Sequence, residues 1–263
     1  TREYYPGDID SLRKVLEENE KEGGTAAVIL EPFGPESGTR MTEYDHCKKV
    51  RELCDEFNCL LIFDEVVTAF RVGPGGAQGY FNVRPDLTVF GKIVSGGFPM
   101  AGGVGGSEDI MSSMAAGVKA GRKRAYVGGT LTANPLSCAA GYYAIKEIVE
   151  QDAAKKAGEN GDKLTAGIQG LIDQYELPFV VWNTGSIVHF EVSGVMYLSV
   201  TDPEIFTKIP QRQHHIEQFG AALTANGVIT LAGSRIYTSM ADNDDTIAET
   251  LAAFDEVFKN IER

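Results

Sequence analysis

Cysteine is scarce in this chain and poorly spaced for chemistry. The four that occur, Cys47, Cys54, Cys59 and Cys138, form no CxxC pair and no zinc-ligand spacing. A disulfide framework and a structural zinc are thereby excluded as organising features, and buried, reduced thiols are expected. Long apolar runs are missing too. The longest are a handful of residues, far short of a membrane span, and no charged-then-apolar leader opens the chain. Positive charge is in the minority, since 24 Lys and Arg face 37 Asp and Glu for a formal net charge of −13. Such a field opposes nonspecific attachment to nucleic acid or anionic lipid. The expected partners are small molecules in the cytoplasm, with no nucleic acid and no membrane. Several motifs are also absent. The chain has no G-x-G-x-x-G, no G-x-x-x-x-G-K-[ST], no G-x-S-x-G and no H-E-x-x-H, so the nucleotide-loop and hydrolase readings lose their best support.

A chain of 263 residues with 43% hydrophobic content can bury a sizeable core, as one large or two modest domains. Its organising stretch is residues 59–92, CLLIFDEVVTAFRVGPGGAQGYFNVRPDLTVFGK. The runs CLLIF and DLTVF have the length and residue types of buried strands. Each delivers a charged residue at its far end, Asp64 and Lys92, and ligands of open α/β sheets sit just beyond the carboxyl ends of strands. An amine near apolar chain can lose its proton and form a Schiff base, while an ionised carboxylate can hold a proton on a heteroaromatic nitrogen. Those are the two protein groups that pyridoxal phosphate chemistry needs.

Elsewhere the pattern reads as alternating elements. Residues 25–31 form an apolar run ending in Glu31, and a helix is expected over residues 42–57, where Tyr44, Cys47, Val50, Cys54 and Phe57 share one face. Strand, helix, strand is a βαβ unit with a parallel sheet. Val66 falls on the same side of extended chain as Asp64, and Glu65 between them reads as an ion-pair partner. The glycine-rich residues 71–82 suit either a loop approaching a ligand or neighbouring subunit, or a plain surface loop. A helix is expected from about residue 111, ending in the basic cluster GRKR of residues 121–124. One or two long helices are expected over residues 140–175, with Tyr142, Ile145, Ile148, Val149, Leu164, Ile168, Leu171 and Ile172 on apolar stripes that read as core. Beyond them, β-branched runs announce a second α/β domain in which His189 is a packed histidine, and residues 226–240 read as two strands. His214 and His215 lack the acidic neighbours of a metal site.

Three separated segments carry a resemblance. LLIFDEVVTAFR, then GGAQGYFNVRPDLTVFGKIVSGGFPMAGGVGG, then GGTLTANPLSCAAG resemble the class III aminotransferases of PLP-dependent transferase fold type I, and most closely the glutamate-1-semialdehyde aminomutases and their aminotransferase relatives. The match is close over residues 25–141 and looser beyond. The resemblance implies an α/β fold: part of a large domain with a mainly parallel sheet over residues 1–150, and a C-terminal small α/β domain over residues 151–263. It implies pyridoxal 5'-phosphate joined to Lys92 as a Schiff base, with Asp64 on the ring nitrogen and Val66 against the ring. Thr130, with the Gly129 backbone, would reach the phosphate of a partner subunit's cofactor, which implies a homodimer or larger assembly with shared sites.

The implied reaction moves an amino group between an amino acid or amine and a keto acid or aldehyde. Arg235 stands where many relatives pair an arginine with the substrate carboxylate, and Glu31 either lines that site or orders its own loop. The aminomutases have a longer segment with a glutamate near Arg235. AGSRIYTS has none, which favours transfer between two substrates over migration within one. The family's long N-terminal part, with a phosphate loop and a ring-stacking aromatic, has no counterpart here. On that ground the chain is expected to be a fragment, one half of a split enzyme, or a non-catalytic companion subunit.

Overall fold

The computed structural model describes residues 1–99, 102–114, 124–192 and 205–261. The chain separates into two compact units, Thr1–Gln151 and Asp152–Arg263.

In the first unit, Asp8 starts α1 (Ile9–Glu20) by accepting the Ser11 N–H at 2.9 Å. Strand β1 (Ala27–Leu30) leads into the short turn α2 (Pro35–Gly38) and then α3 (His46–Glu56), which starts four residues later than its periodicity suggests. The α3 helix buries Cys47, Val50, Leu53 and Cys54 on one face. It ends in a left-handed residue, Asn58, with the Cys59 N–H returning to the Cys54 carbonyl at 2.9 Å and the Asn58 N–H to Asp55 at 3.3 Å. This Schellman ending turns the chain straight into β2 (Leu60–Asp64).

Next come α4 (Gly76–Phe81), β3 (Leu87–Phe90), β4 (Gly103–Gly106), α5 (Glu108–Met111) and α6 (Pro135–Glu150). The strands lie in the order β1-β2-β3-β4, the first three parallel and β4 antiparallel. Asp86 holds the start of β3 against β2: its Oδ2 accepts the Leu61 N–H and an Arg51 N–H, both at 2.7 Å. Side chains alternate across the sheet. Val28, Leu61 and Phe63 pack into the core shared with Leu12, Leu16 and Val50, and the registers Ile29↔Ile62, Asp64↔Val89 and Val89↔Val104 set the opposite face. That face, with Ile29 and Val104 exposed, carries Asp64.

In the second unit α7 (Ala153–Gln174) begins after the left-handed Asp152, so residues 135–174 are two helices. Strands β5 (Val180–Thr184) and β6 (Ile187–Glu191) form a hairpin, and α8 (Ile205–Ala225), β7 (Arg235–Tyr237) and α9 (Asp244–Lys259) complete an antiparallel β5-β6-β7 sheet with helices. Leu164, Ile168, Phe190, Leu223, Phe254 and Phe258 are its core. Buried His189 stacks on Trp182 at 5.3 Å, as a packed histidine should.

Four expectations need correction. Residues 226–240 hold one strand, not two, because Ala232 and Gly233 are left-handed and fold Leu231 back onto Arg235 in a single bridge. The glycine-rich stretch is partly helix α4. Of the helix expected from residue 111, the described residues hold the end of α5 and a 3-10 turn at Ser112–Met114, and residues 115–123 lie outside the described ones. Of the GRKR cluster only Arg124 is described, and it is exposed. Finally, Tyr142 and Val149 of α6 are not core but exposed, and Cys138 on that helix is exposed where the other three cysteines are buried. Among the described residues no helix is long and apolar enough to cross a membrane.

Candidate active site

Asp64 and Lys92 leave the same end of neighbouring parallel strands. Asp64 is the last residue of β2 and pairs with Val89, three residues before Lys92. Its half-buried side chain accepts the Val66 N–H on Oδ1 at 3.1 Å, and Oδ2 is not engaged among the described residues. The carboxylate is thus oriented at one oxygen and available at the other. Val66 packs beside Gly91, where a Cβ would fall 3.0 Å from Val66 Cγ1. The residue just before the lysine therefore has to be small.

Lys92 is exposed and has a left-handed backbone, φ 53°, a conformation that costs a bulky residue about 1–2 kcal/mol. Local bonds hold it there. Gly91 is extended, Lys92–Ser95 is one 3-10 turn, Ser95 Oγ donates to the Lys92 carbonyl at 2.8 Å, and the Gly96 N–H bonds Ile93 at 2.9 Å. Helix α6 then presses on the turn: a Cβ on Gly141 would stand 1.9 Å from the Val94 carbonyl oxygen, and one on Gly96 would stand 2.6 Å from that of Ala140. Strain of this kind concentrates at functional positions. The sequence signal for the clasp was two unexplained glycines.

A profile of "Aminotransferase class-III" matches residues 7–258. The chain belongs to that family. It is 36% identical over 215 residues to a glutamate-1-semialdehyde 2,1-aminomutase of Legionella pneumophila, covering 79% of this chain and 49% of the relative. The aminomutase of Pyrobaculum islandicum is 33% identical over 262 residues, covering 97% and 57%. Among solved structures, an omega-transaminase from Sphaerobacter thermophilus superimposes with a TM-score of 0.79 at 28% identity, covering 97% of this chain and 56% of that one. The chain thus spans about half the length of the curated relatives it matches, and it has the PLP-dependent transferase fold type I of its class III neighbours.

The remaining candidate residues fall in different places. Gly129 and Thr130 are exposed and precede α6, whose N-cap is not Thr130 but Asn134, accepting the Ser137 N–H at 2.9 Å. Glu31 follows β1 beside β2, and its two carboxylate oxygens accept the N–H groups of Glu36 at 3.0 Å and Ser37 at 2.8 Å. Both of those residues are left-handed, so Glu31 is a loop-ordering carboxylate, its alternative reading. Arg235 begins β7 in the second unit, opposite His189. Glu65 is no ion-pair partner among the described residues, since its buried carboxylate accepts the Ala77 N–H at 2.6 Å.

A groove of about 1010 Å³ in the second unit, lined by Phe179, His215, Phe219 and Glu256, contains no candidate residue. No group of His, Cys, Asp and Glu among the described residues could hold a metal ion.

Proposed function

We propose that this chain carries the cofactor-binding and small-domain portions of a PLP-dependent aminotransferase. The observation that carries the reading is the pairing of Asp64 and Lys92 at the carboxyl ends of adjacent parallel strands, with Lys92 held in a strained turn. The residues fit the cofactor. An oriented carboxylate suits a pyridinium N–H, a lysine amine suits an aldehyde carbon, and the missing side chain at Gly91 leaves Val66 free to meet a flat ring. When bound, pyridoxal phosphate supplies the carbonyl that captures an amine and the ring that accepts the electrons of a breaking bond.

The chain's own residues do the rest. Asp64 accepts the ring N–H and keeps it protonated. Lys92 would hold the cofactor through its amine and would be the base that moves a proton to and from the substrate carbon. Val66 limits tilt of the ring. Thr130, with Gly129, reaches a partner subunit's phosphate in a homodimer or larger assembly, which accords with its exposure. Arg235 is the bidentate partner of a substrate carboxylate. Glu31 orders the loop after β1 through the Glu36 and Ser37 N–H groups. Residues 1–150 form the remaining large domain and residues 151–263 the small one. An acidic enzyme of small molecules fits the cytoplasm.

A second reading, an aminomutase that shifts an amino group within one semialdehyde, is favoured by the names of the relatives at 33–38% identity. The segment AGSRIYTS, without a glutamate, favours transfer between two substrates. The test starts with borohydride reduction and peptide mass spectrometry of the native protein. A pyridoxyl mass on the Lys92 peptide, lost in Lys92→Ala, is expected. Its absence after added cofactor would leave a companion subunit. Product analysis with one amino-aldehyde and no acceptor then separates the two enzymes, because only the mutase turns over.

A further inference from the structure

Glu65 stands between Asp64 and Val66 and faces the other way. Successive side chains of extended chain alternate, and the Glu65 N–H continues the β2–β3 ladder to the Val89 carbonyl at 3.0 Å. Asp64 therefore keeps the open face while Glu65 enters the interior, where it is 0% exposed, and Val66 opens the turn that follows, packed beside Gly91. Oε2 accepts the Ala77 N–H at 2.6 Å and the Thr68 hydroxyl at 3.4 Å, and Oε1 has no partner among the described residues. Ala77 lies in the first turn of α4. The residue before it, Gly76, is left-handed with φ 56°, and a Cβ there would stand 2.4 Å from Oε2. A buried carboxylate and a glycine that makes room for it are thus two sides of one joint.

A buried carboxyl with an orphan oxygen is expensive, and apolar packing would be cheaper. Burial pushes the Glu65 carboxyl above its ordinary value, against the lowering effect of the backbone N–H groups of Ala77 and Gln78. Packing alone does not account for such a group. Its place does: the same residue that bonds α4 holds, by its backbone, the end of the strand whose next and previous side chains make the site.

We propose that Glu65 is a positioning residue, tying the end of β2 to the start of α4 so that Asp64 and Val66 are held at a fixed angle. Its functional meaning rests on the reading above. The joint itself does not. Amide hydrogen exchange should therefore be followed by mass spectrometry in Glu65→Ala, Glu65→Gln and Gly76→Ala, made in the complete reading frame and without cofactor, alongside the dissociation constant for pyridoxal phosphate. Glu65→Ala and Gly76→Ala, which attack the joint from opposite sides, are expected to speed exchange in peptides covering residues 60–66 as well as 76–82. They should also weaken cofactor binding about tenfold or more. Glu65→Gln, which keeps an acceptor for Ala77, should restore both. Faster exchange confined to residues 76–82, with cofactor affinity unchanged, overturns the proposal and leaves Glu65 as a support of α4 alone. A wild-type protein that takes up no cofactor sinks the enzymatic reading, while the exchange pattern still decides the joint. Should Glu65→Ala fail to fold, Gly76→Ala against Glu65→Gln decides it.

Discussion

Helices α6 and α7 follow each other in the chain, both carry apolar residues at helical spacing, and they meet opposite fates. The α7 helix sinks Leu164, Ile168 and Ile172 into the core of its unit. In α6 only Ser137 and Gly141 are buried, while Leu136, Tyr142, Tyr143 and Val149 are 63%, 66%, 65% and 53% exposed. Helix α7 is held by its side chains, and α6 by the lack of one at Gly141. An apolar stripe thus states a demand for cover without naming what meets it. For α7 the second unit meets that demand within itself. For α6 a partner subunit is our reading of what does.

The largest effect that would sharpen this contrast is in α7. Ile168→Ala should cost about 2–5 kcal/mol by opening a cavity in a closed core, seen as an early transition of the second unit in urea. Next comes Gly141→Ala, which drives a methyl into the Val94 carbonyl and should cost about 1–3 kcal/mol through overpacking. Faster proteolysis near Lys92 would locate that damage. If Gly141→Ala were neutral, the clasp on the lysine turn would not exist. Asn134→Ala removes the α6 cap and should cost about 0.5–2 kcal/mol in a thermal melt.

The smallest expected stability change, within about 0.5 kcal/mol, is for Tyr142→Ser or Val149→Ser in the dissociated chain. Their effect should instead show in sedimentation, as weaker self-association. A loss as large as that of Ile168→Ala at high dilution would break the contrast.

A pH series sharpens the picture inside the first unit, where two carboxyls shift in opposite directions. Burial raises Glu65, so its favourable contribution is full below the ordinary carboxylate range and fades as pH rises through the raised value. For Asp86 burial opposes ionisation, but the Leu61 N–H and Arg51 win and hold it low. Its contribution is present at neutral pH and fades as pH falls through the lowered value. Glu65→Gln should therefore gain on the wild type as pH rises from 5 to 8 in about one-unit steps, and Asp86→Asn should gain as pH falls below about 4. Matching slopes in the two variants would overturn these assignments.

Much of the site was legible because it is linear. A short apolar run followed by a charge is written in consecutive residues at Asp64 and at Lys92, whereas Val66 opens a turn, so alternation along extended chain does not by itself place it. Glu65 was misread for the same reason: its one polar neighbour in sequence is Asp64, while its true partner, the Ala77 N–H, lies twelve residues away. Glu31 shows the limit from another side. The carboxylate was placed at a strand end, but its use on two left-handed residues depends on a loop conformation that no spacing encodes. The two strands expected in residues 226–240 failed because β-branched residues promise extension, whereas Ala232 and Gly233 turn the chain back.

The sequence by itself determined the parallel strand pair, the residues displayed at its end and the family to which they belong, because periodicity and motif order are local. Only the tertiary structure decided which apolar faces are closed and which stay bare. It alone placed the glycines 141 and 96 as a clasp around the turn of Lys92 and gave Glu65 a backbone partner. Those outcomes rest on atoms brought within a few ångströms from distant parts of the chain, and steric exclusion acts on that distance, not on separation in sequence.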